Sequence, residues 1–154
     1  MPTILSPARS SHDKPDGVRP RYKDLFDRMR DPDPVAADAA FDAVLFDREG
    51  AIPDLIECLD RSKKDTVLRF LCVQLLGFSG SKLALPALVA ALEDKEPSVR
   101  AEACRSLEDL KAHDAVSSLR THLDDLDPEV RLAAAEAILA IEGRGGHDDA
   151  DADL

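Results

Sequence analysis

The residues of this chain that could do chemistry are few and scattered. Its histidines are His12, His113, His122 and His147. None has a second histidine three or four residues away, the spacing that sets two imidazoles on one helix face as metal ligands. His122 is therefore expected to be a partly exposed packing residue. His147 stands among Asp148, Asp149, Asp151 and Asp153, which could hold a divalent cation loosely. The run lacks the glycine turn and terminal glutamate of a helix-loop-helix calcium site, so a solvated acidic tail and no metal are expected. Cys58, Cys72 and Cys104 lie in apolar helical patterns without ligand spacing and read as small buried hydrophobes with reduced thiols. Gly77 and Gly80 are not followed by Gly-Lys-Ser or Gly-Lys-Thr, so they are expected to end a helix and not to cradle a phosphate. Arg100 and Arg131 each have an aspartate six residues earlier, Asp94 and Asp125. A basic stripe is one reading; a structural ladder of charge-assisted hydrogen bonds between neighbouring units is the expected one. No nucleophile, base and ligand set emerges, so the chain is expected not to be an enzyme and to need no cofactor.

The elements that carry these residues are written as a repeat. Leu85-Pro86-Ala87-Leu88 through Asp94, followed by Pro97-Ser98-Val99-Arg100, returns about 31 residues later as Val116 through Asp125, followed by Pro128-Glu129-Val130-Arg131. Self-similarity at this period marks a solenoid, in which each unit buries its apolar face only against its neighbours. Apolar residues at helical spacing predict eight short helices in four pairs. Their markers are Leu25 and Met29, Val35 to Val44, Ile52 to Leu59, Val67 to Phe78, Leu85 to Leu92, Val99 to Leu110, Val116 to Leu123, and Val130 to Ile141. Pro97 and Pro128 fit the first turns of their helices, where a missing N–H is harmless, and Lys63 to Asp65 makes a turn. No strand is required. Residues 1–19 and 143–154 are polar and aperiodic and are expected to be disordered, leaving 20–142 as the repeat domain.

Composition narrows the functional classes. Five Phe, one Tyr and no Trp in 154 residues suit helix-on-helix packing through Ala and Leu better than a sheet sandwich. The 31 acidic against 20 basic side chains, a net charge of −11, would repel nucleic acid and favour a basic or neutral protein partner. No run is long and apolar enough for a signal peptide or a membrane span, so a cytoplasmic protein is expected.

The word Pro86, Asp94, Val99, Arg100 resembles the HEAT repeat in its short phycobilisome-lyase-like form. The fourth repeat keeps Asp125, Val130 and Arg131 with Ser117 in the proline slot. The second keeps Pro53 and Arg69 but has two extra residues in its turn and Lys63 in the aspartate slot. The first departs most, with Ala37 near the arginine slot. The resemblance implies an all-α, right-handed α-α superhelix of about four HEAT-like helical hairpins over residues 20–142. It brings in iron-dependent hydroxylases built from the same repeat, which carry His-Glu pairs. This chain has no His-Glu dipeptide, and that class is expected to be excluded. HEAT-like DNA glycosylases need a basic concave track, and this chain offers acid there.

In such solenoids the second helix of each pair usually lines the concave surface. That places the expected partner contacts at Leu71, Gln74 and Phe78 in repeat two, Glu102, Arg105 and Asp109 in repeat three, and Glu136 in repeat four. A groove apolar at one end and acidic at the other suits a basic or amphipathic segment of a protein partner; an alternative is that the Ile4-Leu5 segment covers the apolar end. Leu132, Ala135 and Leu139 occupy the positions by which earlier repeats touch the next, so self-association, possible as a homodimer, is a second use. The function expected is a non-catalytic protein-binding scaffold. The alternatives are a bilin-handling or antenna-related subunit, against which no pocket of aromatics and arginines is visible, and a purely structural self-associating module.

Overall fold

Proline fixes where the helices begin, because its φ is already helical and its absent N–H is not needed in the first turn. In the computed structural model, which describes residues 17–151 and their side chains through Gly143, Pro20, Pro34, Pro97 and Pro128 each open a helix. The pairs are α1 (Pro20–Arg28) with α2 (Pro34–Phe46), α3 (Ile52–Arg61) with α4 (Thr66–Phe78), α5 (Leu85–Ala91) with α6 (Pro97–Asp109), and α7 (Val116–Thr121) with α8 (Pro128–Asp151). Short 3-10 turns at Lys82–Ala84, His113–Ala115 and His122–Asp124 adjoin α5 and α7. No strand occurs among the described residues. The protein is an all-α solenoid of stacked helix pairs. Its helix α8 reaches into the segment assigned to the acidic tail. The Ile4-Leu5 segment, His12 and Asp153, and the side chains of His147, Asp148, Asp149 and Asp151, lie outside the described residues.

The second helices α4, α6 and α8 pack side by side, and each first helix lies along its own partner. Leu55, Leu75, Leu76, Leu88, Leu92, Leu107, Leu119 and Ile141 are fully buried between them. Cys58, Cys72 and Cys104 are buried and free, and burial pushes the Cys104 thiol up to about 12.

Arginine and aspartate stitch the turns of successive pairs together. Arg69 Nε and Nη2 donate to the two carboxylate oxygens of Asp94 at 2.9 and 3.1 Å. Its Nη1 donates to the carbonyls of Ser62 and Lys63 in its own turn. Arg100 repeats the arrangement with Asp125 at 3.0 and 2.9 Å and with the carbonyls of Asp94 and Lys95. Each arginine thus binds the aspartate of the following repeat and only the main chain of its own. In the first repeat, where Ala37 stands in the arginine slot, Arg30 reaches Asp65 instead.

Two expectations change. Gly77 does not end α4; it lies buried within it. A Cβ there would come within 2.5 Å of Ser106 Oγ and 2.8 Å of Ser106 Cα, so glycine is required by the close approach of α6. Gly80, at φ +68°, is the residue that takes the left-handed conformation after the helix. His122 is not partly exposed: it is buried, 3.1 Å from Glu93 Oε1 and 3.2 Å from Asp125 Oδ2.

Candidate functional site

The second helices start in equivalent ways, so counting from Pro34, Thr66, Pro97 and Pro128 aligns their exposed residues. The second positions are Val35, Val67, Ser98 and Glu129, the ninth are Asp42, Gln74, Arg105 and Glu136, and the thirteenth are Phe46, Phe78, Asp109 and Ala140. Four large hydrophobics stand out on the first two helices: Val35 is 76% exposed, Val67 60%, Phe46 91% and Phe78 42%. They fall at two registers on either side of Asp42 and Gln74, and the same registers hold Ser98 and Asp109 on α6 and Glu129 and Ala140 on α8.

Leu71 and Gln74 come together in this region. They line a cavity of about 220 Å³ with Met29, Ala37, Asp38 and Phe41. Ala37 occupies the fourth position of α2, where the later second helices have Arg69, Arg100 and Arg131, and α2 packs less extensively on α4 than α4 does on α6. Phe78 lies at the exposed C-terminal end of α4.

Glu102, expected among the exposed partner contacts, does not share this exposure. It is buried because the sixth position of a second helix, held by Leu71 in α4 and Ala133 in α8, points toward the seam with the neighbouring helix. Burial raises its carboxyl pKa against the opposing pull of Arg105, 3.5 Å away. Arg105 also donates to Glu129 at 2.8 Å, so its charge is offset on both sides. Asp109 and Glu136 remain exposed on the same face. Val35, Phe46 and Val67 were missing from the expected contacts. In sequence Val35 and Val67 read as helix-marking hydrophobics and Phe46 lay beyond the marker run, and the signal that identifies them is their register with Ser98, Glu129 and Asp109.

Leu132 and Leu139, 59% and 72% exposed, stand on the outer side of α8 with half-buried Ala135 between them. A separate cavity of about 430 Å³ opens by the first helices, lined by Leu59, Ala87, Ala90 and Ala91 beside the Arg69–Asp94 pair, with Lys63 and Lys95 nearby and no aromatic side chain.

The sequence pattern described as HEAT repeats matches residues 52–140, more than half of the chain. The chain belongs to the HEAT-repeat family. Among solved structures, this HEAT-repeat protein is similar to human deoxyhypusine hydroxylase in complex with glycerol, at 25% identity and a TM-score of 0.64, over 83% of this chain and 46% of that one. It is also similar to the complex of CpcE and CpcF of phycocyanin lyase from Nostoc sp. PCC7120, at 20% identity and a TM-score of 0.47, over 88% and 70% of the two chains. No curated sequence matches it. The chain therefore spans under half the length of the hydroxylase it resembles.

The hydroxylase overturns the expectation that this HEAT-repeat protein is not an enzyme. That solved structure is of an enzyme, and this chain matches 46% of it. Among the described residues no three His, Cys, Asp or Glu side chains are grouped to hold a metal ion, and no helix is long and apolar enough to cross a membrane.

Proposed function

We propose that the exposed face of α2, α4, α6 and α8 binds a segment of another protein, as partner or as substrate. The observations that support this reading are the exposed Val35, Phe46, Val67 and Phe78 on α2 and α4 and a cavity lined by residues of the same two helices and by Met29. A leucine, methionine or phenylalanine side chain suits the space between Met29, Ala37, Phe41 and Leu71. Basic residues that follow it would lie toward Asp109 and Glu136, and the net charge of −11 favours their approach. A few apolar anchors would dominate the affinity and the charges would set orientation.

Selection from a random peptide library tests this. The wild-type chain should recover peptides with a large apolar residue followed by lysine or arginine. A Phe46→Asp, Phe78→Asp variant with unchanged helicity should fail to recover them, with affinity for the selected peptides reduced at least about tenfold. Equal recovery by the variant would rule the face out.

A further inference from the structure

The arginine-aspartate ladder is open at both ends, and the two ends are complementary. Arg131 grips its own turn as Arg69 and Arg100 do, donating Nη1 to the carbonyls of Asp125 and Leu126 at 2.7 and 3.2 Å. In Arg69 and Arg100 the remaining edge, Nε and Nη2, holds the aspartate of the following repeat. Among the described residues that edge of Arg131 has no carboxylate, and the residue is exposed. At the other end, Asp31 lies three residues before Pro34, as Asp94 does before Pro97 and Asp125 before Pro128. All three fold their turn the same way: an Oδ1 accepts from the N–H two residues on, at 2.8 Å in Asp31, 2.9 Å in Asp94 and 3.0 Å in Asp125. Asp94 and Asp125 each receive an arginine from the repeat before; Asp31 is exposed and has no described cation.

We infer that the chain associates head to tail with a second copy of itself, Arg131 of one copy binding Asp31 of the next and α8 packing on α2. The faces that would meet fit in shape as well as charge. The fifth and twelfth positions of α8 are the exposed Leu132 and Leu139; the twelfth position of α4, Gly77, is a point where α4 touches α6. The tenth position of α6, Ser106, is its point of contact with α4; in α2 the tenth is Ala43, and with Ala36 and Ala39 it leaves room for leucine side chains. The junction would continue the packing by which α6 already sits on α4 and α8 on α6. Such a contact joins two different patches, so it propagates to higher species and does not close at a dimer.

Sedimentation velocity of the full chain from micromolar to millimolar concentration, at ~0.15 M salt to screen the acidic surface, reads this directly. Species beyond the dimer should grow with concentration. Arg131→Asp alone and Asp31→Arg alone should each weaken association at least about tenfold by setting like charges together. An equal mixture of the two should recover it, since every junction then joins an acid to a base. Because Arg131 also holds its own turn, Leu139→Glu provides a variant that spares the turn; it too should abolish association, and mixing should not rescue it. A wild-type chain that stays monomeric throughout, association that stops at a dimer, or association indifferent to Asp31→Arg would each overturn the inference.

Discussion

Asp125 and Glu102 are carboxylates with little exposure that are driven in opposite directions by their surroundings. The two-pronged hydrogen bond from Arg100 holds the Asp125 carboxyl well below the usual carboxylate range, despite the desolvation that opposes it. Its folded pKa lies below its unfolded value of about 3.9. The stabilisation is therefore complete above that pH and is lost as pH falls through the folded value. Asp125→Asn should cost about 1–3 kcal/mol at pH 7, by the loss of a charge-assisted pair. In urea unfolding at two pH values, the gap from wild type should narrow in acid. Glu102 has the reverse sign, because burial raises its folded pKa above the unfolded value. Its ionised form works against the native state at neutral pH, and the deficit vanishes below the unfolded pKa of about 4.3. Glu102→Gln should raise the thermal midpoint at pH 7 and leave it unchanged in acid, with Arg105 still paired to Glu129. The burial of Glu102 was not visible in the sequence. Nothing in the helical period of α6 separates it from Arg105 and Asp109; the neighbouring helix decides.

Among the helices, the tightest constraint lies where α4 meets α6. Ser106 Oγ donates to the Val73 carbonyl at 3.0 Å, and the two backbones approach closely enough that Gly77 has no room for a methyl group. Gly77→Ala should destabilise by about 1–3 kcal/mol through overpacking, measured by chemical denaturation. Ser106→Ala should not relieve it, because the Ser106 Cα itself is in the way. The starts of these helices were legible because proline has one backbone preference, as at Pro97 and Pro128. Gly77 was not, since glycine marks both helix ends and close approaches and its sequence neighbours do not distinguish them. The cavity beside Leu71 and Gln74 was not legible, because it depends on how Met29, Ala37, Asp38 and Phe41 of other helices and turns are brought against them.

For the molecule as a whole, the 31-residue repetition announced a solenoid because each unit must bury the same apolar face against the next. Its function was less legible, since binding information resides where the copies differ. Val35, Val67, Phe46 and Phe78 distinguish the first two repeats from the last two, and their exposure is set by the helices around them and not by their own period. The expectation of no catalysis rested on missing sequence motifs, and it is overturned by similarity to a solved structure of a hydroxylase, which no single residue of this chain announced.

The ladder also couples each hairpin to the next. Arg69 and Arg100 each lock their own turn with one edge and, with the other, grip the aspartate that folds the next turn. Order is shared between one hairpin and its successor. Damage at Arg69 would reach α6 by freeing Asp94, and through the loosened turn it would reach the carbonyls that seat Arg100. Loss of Arg100 would act in the same way on Arg69, since Arg100 holds the carbonyl of Asp94; the coupling is reciprocal, so neighbouring hairpins should loosen together and not one at a time.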